Sequence, residues 1–327
     1  MHAIRQYEFG PPENLRYEQV DDPRPGPGQV RIAVAAAGIH LLDTTIRAGQ
    51  AGGPFPLPTL PMTPGREVAG VVDAVGAGVP DSWLDTRVVA HLGQPSGGYA
   101  ERALAPAEAL HALPDNVSDD VAVAMIGTGR TTMGILETAG LTADDVVLVT
   151  AAAGGIGNLL IQHVRAIGAT AVGLAGGESK VDQVRRLGAQ VAVDYGRPGW
   201  AEQVRAGLDG RAVTVALDGV GGELGRGALE LVGSGGRLLI FGWSSGEPMR
   251  FTATDLVGRG LTVGVAVGPR LLQRPGGLRE LETRALDAAA SGALVPLVGP
   301  PFPLARAADA HRALQSRATM GKTVLKP

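Results

Sequence analysis

The chain has 327 residues, room for about two domains, with 45% hydrophobic and 19% charged residues and a formal net charge of −3. Such a composition supports a packed core and excludes disorder, while the slightly acidic balance offers neither a basic footprint for nucleic acid nor a polybasic membrane patch. Cysteine is absent, which excludes disulfides, a thiol nucleophile, iron–sulfur clusters and thiolate zinc sites.

The opening residues, Met1-His2-Ala3-Ile4-Arg5-Gln6, lack the apolar run of a signal peptide. No stretch approaches the roughly 20 uninterrupted apolar residues of a membrane span. A soluble cytoplasmic protein without a membrane partner is expected. Residues 1 to about 120 read as rich in strands and loops. Strands are expected at 30–35, after the turn Pro23-Arg24-Pro25-Gly26-Pro27-Gly28, and again at 68–75 and 86–90. The span 54–64 holds five prolines and reads as a surface loop.

Beyond residue 120 the rhythm changes. Apolar strands are expected at 146–150, 170–175, 191–193, 212–217, 237–241 and 261–267, with helices at 155–167, around 180–187 and at 223–232. Uninterrupted apolar strands alternating with helices indicate a parallel sheet covered on both faces, and six of them fit a doubly wound dinucleotide-binding fold. Helices are expected at 278–291 and 304–315, followed by a strand at 321–325. A lone terminal strand needs a sheet to join, so the tail is expected to fold back onto the first domain.

The strongest motif is Ala151-Ala152-Ala153-Gly154-Gly155-Ile156-Gly157, set between a strand and a helix. Glycines permit a tight turn and close backbone approach to a pyrophosphate, whose charge the helix N-terminus stabilises. The first glycine of the usual G-x-G-x-x-G is replaced by Ala152, and a tight turn without a ligand is the alternative. About 20 residues further on, where NAD-specific folds carry an acid for the ribose diol, Leu174-Ala175-Gly176-Gly177 is neutral and small.

Several motifs, in order along almost the whole chain, resemble the zinc-free quinone oxidoreductases of the medium-chain dehydrogenase/reductase superfamily. They are Asp43, Arg47 and Gly49 in a D-x-x-x-R-x-G pattern, Pro64-Gly65-Arg66-Glu67-Val68-Ala69-Gly70, the A-x-x-G-G-[VI]-G loop at 151–157, Asp218-Gly219-Val220-Gly221-Gly222, Phe241-Gly242-Trp243, and the segment from Ser316 to Lys322. The resemblance implies a GroES-like β-rich substrate domain (1–120 with 270–327), a Rossmann-type doubly wound NADPH-binding domain (121–269) and a cleft between them. It also implies NADPH-dependent hydride transfer to a small-molecule quinone or other conjugated carbonyl. Reduction of enoyl thioesters, or NADPH binding without turnover, are the other readings.

Zinc-dependent relatives place a cysteine near Gly38-Ile39-His40 and G-H-E where this chain has Gly65-Arg66-Glu67. A guanidinium holds its proton and cannot ligate a metal, so no metal site is expected. A conjugated acceptor yields a resonance-stabilised anion on hydride addition, which solvent protonates without a Lewis acid.

His40 stands where the family usually carries Asn beside the nicotinamide, and it is a candidate for the substrate cleft together with Asp43 and Arg47. These last two also read as an ordinary i, i+4 helix pair. Thr131 matches a family threonine near the nicotinamide, or is simply a helix N-terminal hydroxyl. Phe241, Gly242 and Trp243 end a parallel strand and offer backbone contacts to the nicotinamide side. Tyr99 reads as a packing residue rather than an acid. For the 2′-phosphate, Lys180 and Tyr195 match positions that hold it in quinone reductases, and Arg317 is a third candidate. Glu178 argues the other way, although acids at a helix start are generally favoured. The apolar 261–267 strand is expected at a sheet edge, and the family commonly dimerises there, so a homodimer is expected.

Overall fold

The computed structural model describes residues 1–50, 56–94 and 96–327. The expected proline-rich loop thus lies partly outside the described residues, as does most of Gln50-Ala51-Gly52-Gly53. In chain order, β1 (His2–Arg5), β2 (Arg16–Gln19), β3 (Gln29–Ile39), α1 (Leu41–Arg47), β4 (Glu67–Val75), β5 (Arg87–His91), β6 (Arg102–Pro106), β7 (Leu110–Ala112) and α2 (Asp119–Ala124) lead into a π-helical turn, Met125–Gly129. Next come α3 (Arg130–Ala139), β8 (Val146–Val149), α4 (Gly155–Ala166), β9 (Thr170–Ala175), α5 (Glu178–Arg186), β10 (Val191–Asp194), α6 (Trp200–Gly207), β11 (Val213–Asp218), α7 (Gly222–Leu231), β12 (Val232–Ile240), α8 (Ala253–Val257) and β13 (Thr262–Val265). The chain ends with α9 (Pro269–Leu272), α10 (Gly277–Ala290), β14 (Phe302–Pro303), α11 (Ala307–Gln315) and β15 (Thr323–Lys326).

Two compact units form, one from residues 1–127 with 285–327 and one from 128–284. In the first, β14-β15-β3-β4-β5-β7 make a sheet in that order among the described residues, with β6 also on β3. Alternation drives it: Val30, Ile32 and Val34 point into the core while Arg31 faces out to Asp73. The C-terminal β15 pairs antiparallel with β3, Thr323 opposite Ile39 and Leu325 opposite Ala37, so the tail joins the N-terminal sheet.

In the second unit, all described strands run parallel in the order β10-β9-β8-β11-β12-β13. Along β8, Val147 and Val149 enter one core with Leu160, Ile161 and Leu217, whereas Val146 and Leu148 enter another with Val172, Leu174 and Leu238. Both faces of the sheet are covered, which is why its strands carry no polar alternation. One strand starts earlier than its pattern indicates. The run Gly233-Ser234-Gly235-Gly236 reads as a breaker, yet β12 begins at Val232 and absorbs the glycines in a register shift against β11 between Val213 and Val215.

Candidate active site

Ligands of doubly wound sheets sit beyond the carboxyl ends of the strands, where the order reverses. Here that point lies between β8 and β11. After β8 the chain turns through Ala151 at φ 49, a left-handed value uncommon for a non-glycine residue and frequent at functional turns. Gly157 then packs so closely that a Cβ would collide with the Ala151 carbonyl and the Ala152 backbone. Ala153 is buried, and Gly154, Gly155 and Ile156 are partly exposed. The amides of Gly155, Ile156 and Gly157 lie in the first turn of α4, where no preceding helical carbonyl exists for them. The fully buried Asn158 donates to the carbonyls of Gly154 (2.7 Å) and Gly155 (2.6 Å) and holds the turn shut. A cradle of amides at a helix N-terminus, with no side chain in the way, suits a pyrophosphate.

The neighbouring strand end is tied to this loop. Thr150 donates to Asp218 Oδ1 at 2.8 Å and accepts from the Gly219 amide at 2.9 Å. Both side chains are fully buried, and the carboxylate also accepts from the amides of Val220 (3.0 Å) and Gly221 (3.1 Å). The Phe241 amide bonds the Asp218 carbonyl (2.8 Å) and the Ser244 amide the Gly219 carbonyl (3.0 Å), so the 218–222 and 241–245 turns are stacked together. Phe241 and Gly242 are partly buried, and Trp243 is 51% exposed. Thr131 is partly buried in the first turn of α3, after the π-helical turn, a rare element frequent at functional sites.

At the ends of β9 and β10, Gly176 and Gly177 leave an opening without side chains of their own. The Tyr195 hydroxyl would stand 3.0 Å from a Cβ placed on Gly176. Lys180 sits partly buried in the first turn of α5. The donor set fits a phosphorylated dinucleotide: amides for the pyrophosphate, then an ammonium and a phenol hydroxyl where the ribose is read.

The first unit holds a buried polar cluster. Glu67, fully buried, places Oε2 2.6 Å from Lys322 Nζ and Oε1 2.5 Å from His40 Nε2. Burial pushes its pKa up, but His40 and the Lys322 ammonium prevail and hold the carboxyl well below the usual range. The His40 side chain is 22% exposed, and its amide donates to Asp43 Oδ2 at 2.8 Å. Asp43 also receives the Tyr99 hydroxyl (3.2 Å) and faces Arg66 Nε (3.4 Å). Arg47 donates to Gln315 Oε1 (3.3 Å), and its carbonyl accepts from Gln6 (2.9 Å). Asp43 and Arg47 are themselves buried, at 6% and 3% exposure. Tyr99 lies wholly inside, bonded also to His311 Nε2 at 3.3 Å; burial and Asp43 raise its pKa well above the ordinary phenol value. Arg317 is exposed, at φ 59. Among the described residues, no group of three or more His, Asp or Glu is placed to hold a metal ion.

Sequence reasoning left out Thr150, Asn158, Lys322 and the buried role of Glu67. Each makes its bonds across strands or turns, and only Asn158, in the first turn after the glycines, lies within the motif's own reach.

Residues 26–115 match the family described as alcohol dehydrogenase GroES-like domain, and residues 155–291 that described as zinc-binding dehydrogenase. The chain is 35% identical over 331 residues to a 2-haloacrylate reductase of Burkholderia sp, covering 98% of this chain and 97% of the relative. It is 32% identical over 330 residues to the quinone oxidoreductase of Sus scrofa, covering 99% and 97%. Among solved structures, the Escherichia coli quinone oxidoreductase complexed with NADPH superposes with a TM-score of 0.87 at 28% identity, over 100% of both chains.

Proposed function

The chain belongs to the quinone oxidoreductase family of the medium-chain dehydrogenase/reductase superfamily, and we propose that it transfers hydride to a quinone or another conjugated carbonyl without zinc. It is an oxidoreductase of the NADPH type. The observation that carries the reading is the convergence of the 151–157 cradle, the Gly176–Tyr195 opening and the Phe241–Trp243 turn on the carboxyl edge of one parallel sheet.

The cofactor, when bound, supplies a hydride. Gly155, Ile156 and Gly157 hold its pyrophosphate through their amides, assisted by Ala153 and Gly154 in shaping the turn. Lys180 and Tyr195 bind the 2′-phosphate beside Gly176. Phe241, Gly242, Trp243 and Thr131 position the nicotinamide side. On the first unit, His40 is the candidate donor to a substrate carbonyl, anchored by Asp43 and Glu67. With Arg47, Asp43 is a positioning residue. Hydride addition to a conjugated acceptor leaves a delocalised oxyanion, which takes its proton from solvent.

Zinc independence is supported by the chemistry of the residues. The chain has no cysteine, Arg66 cannot ligate, and both oxygens of Glu67 are engaged by Lys322 and His40. A second reading, an α,β-unsaturated carboxylate as acceptor, is favoured by the Burkholderia relative; it needs the same hydride addition. The test is NADPH oxidation followed by near-UV absorbance against small quinones, enones, 2-haloacrylate and saturated ketones. Turnover confined to the conjugated acceptors is expected. Silence with all of them, or equal rates with saturated ketones, removes the proposal.

A further inference from the structure

The ribose end of the cofactor site presents a charge problem that the phosphate-binding pair alone does not solve. Two acids border it. Glu178 opens α5 with its side chain 81% exposed, and Asp194 closes β10. Asp194 Oδ1 accepts from the Gly177 amide at 3.0 Å and the Gly196 amide at 2.9 Å, which fixes its carboxylate beside the Gly176-Gly177 opening. Those two amide bonds also keep it ionised, with its pKa below the ordinary aspartate value. NAD-specific folds bind the ribose diol and repel a 2′-phosphate with a carboxylate at the end of the second strand; here one acid, Glu178, stands just past that end and the other, Asp194, ends the adjoining third strand. With Lys180 as the only cation counted, the opening would carry a net charge of −1 before a phosphate dianion arrived.

Arg197, two residues past Tyr195, changes that balance. Its Nε lies 3.6 Å from Asp194 Oδ2 and its Nη2 3.9 Å from Glu178 Oε2, so one guanidinium spans both acids. We propose that Arg197 is a specificity-determining residue: by neutralising Glu178 and Asp194 together it allows an opening bordered by two carboxylates to accept a 2′-phosphorylated cofactor. The inference rests on the NADPH reading above. Neither acid needs to be lost from the chain, because its repulsion is cancelled in place. Arg197 is a positioning residue for charge, and Lys180 and Tyr195 remain the direct phosphate ligands. The side chain is 65% exposed, so its replacement leaves the core untouched.

The experiment measures dissociation constants of NADPH and NADH, by quenching of protein fluorescence, for the wild type, Arg197→Gln, Arg197→Lys and the double variant Arg197→Gln/Glu178→Gln. Two unit charges a few ångströms apart in a water-like dielectric interact by about a factor of five to ten in binding. Arg197→Gln is therefore expected to lower the ratio Kd(NADH)/Kd(NADPH) by about tenfold. Arg197→Lys should retain most of the ratio, and the double variant should recover at least half of the loss on a logarithmic scale. A wild type that prefers NADPH, with a variant that keeps the full preference, overturns this inference alone. A ratio that falls in Arg197→Gln but is not restored by Glu178→Gln shows a direct phosphate contact and overturns it as well. Equal wild-type affinities for the two cofactors overturn both this inference and the reading beneath it.

Discussion

Lys180 and His311 are ionisable side chains in opposite settings, one at the edge of an opening and one wholly buried, and each makes a separate prediction. Lys180 stands in the first turn of α5 beside the Gly176–Tyr195 opening. A charge-assisted contact to phosphate is worth roughly 1.5–3 kcal/mol. Lys180→Ala should thus weaken NADPH binding by about tenfold to a hundredfold and spare NADH, and equal losses for both cofactors in a titration would refute the assignment. His311 is wholly buried against Tyr99, and burial lowers its pKa to about 4, with Asp43 opposing and Arg47 assisting. A depressed histidine means that the unfolded chain binds the proton first. Stability should therefore fall as pH drops from about 6.5 towards 4, by up to about 1.4 kcal/mol per pH unit. His311→Gln should flatten this slope of the thermal midpoint between pH 6.5 and 5, above the range where Glu67 contributes; an unchanged slope would assign the acid lability elsewhere. From the sequence alone His311 was only one of six scattered histidines. Its neutrality comes from what packs around it.

β13 ends the parallel sheet, paired on one side with β12, and Val265 is 58% exposed on it. Val257, just before it, is 82% exposed. An apolar strand with a free edge is a template for a further strand, and a second copy of the chain is the expected occupant. Light scattering should give about twice the monomer mass, and Val265→Lys should shift it to the monomer; a wild-type monomer at working concentration would rule this out. Elements differed in how legible they were. The parallel strands stand out because both faces are buried and their runs are mostly apolar, wholly so in β8. Helix α2 did not, and α1 and α3 showed only as alternative readings of Asp43 with Arg47 and of Thr131, since Leu41–Arg47 is short and the π-helical turn interrupts α2 and α3. β6 and β7 are likewise too short to carry a periodic signal and owe their conformation to pairing with β3 and β5.

At the scale of the whole molecule, the proposed independence of zinc rests on residues that lie far apart along the chain. Lys322, from the segment before β15, meets Glu67 at the start of β4, 255 residues earlier. Elemental analysis of purified protein should find no stoichiometric zinc, and activity should survive a chelator; one tightly held zinc per chain would reverse the proposal. Much of the molecule is legible in the sequence. The phosphate loop is local, because a turn, its glycines and the helix that follows are neighbours in sequence and their geometry is set by sterics over a few residues. The parallel sheet is nearly as local, because burial on both faces imprints a predominantly apolar run on its central strands. What the tertiary structure alone decided is which charges meet. It buries Asp43 and Arg47 rather than exposing them, joins Lys322 and His40 on Glu67, and brings Arg197 between Glu178 and Asp194. Apart from the local Asp194–Arg197 contact, those pairings depend on distances between separate elements, and ionisable residues far apart in sequence carry no periodic or steric signal of the partner they will find.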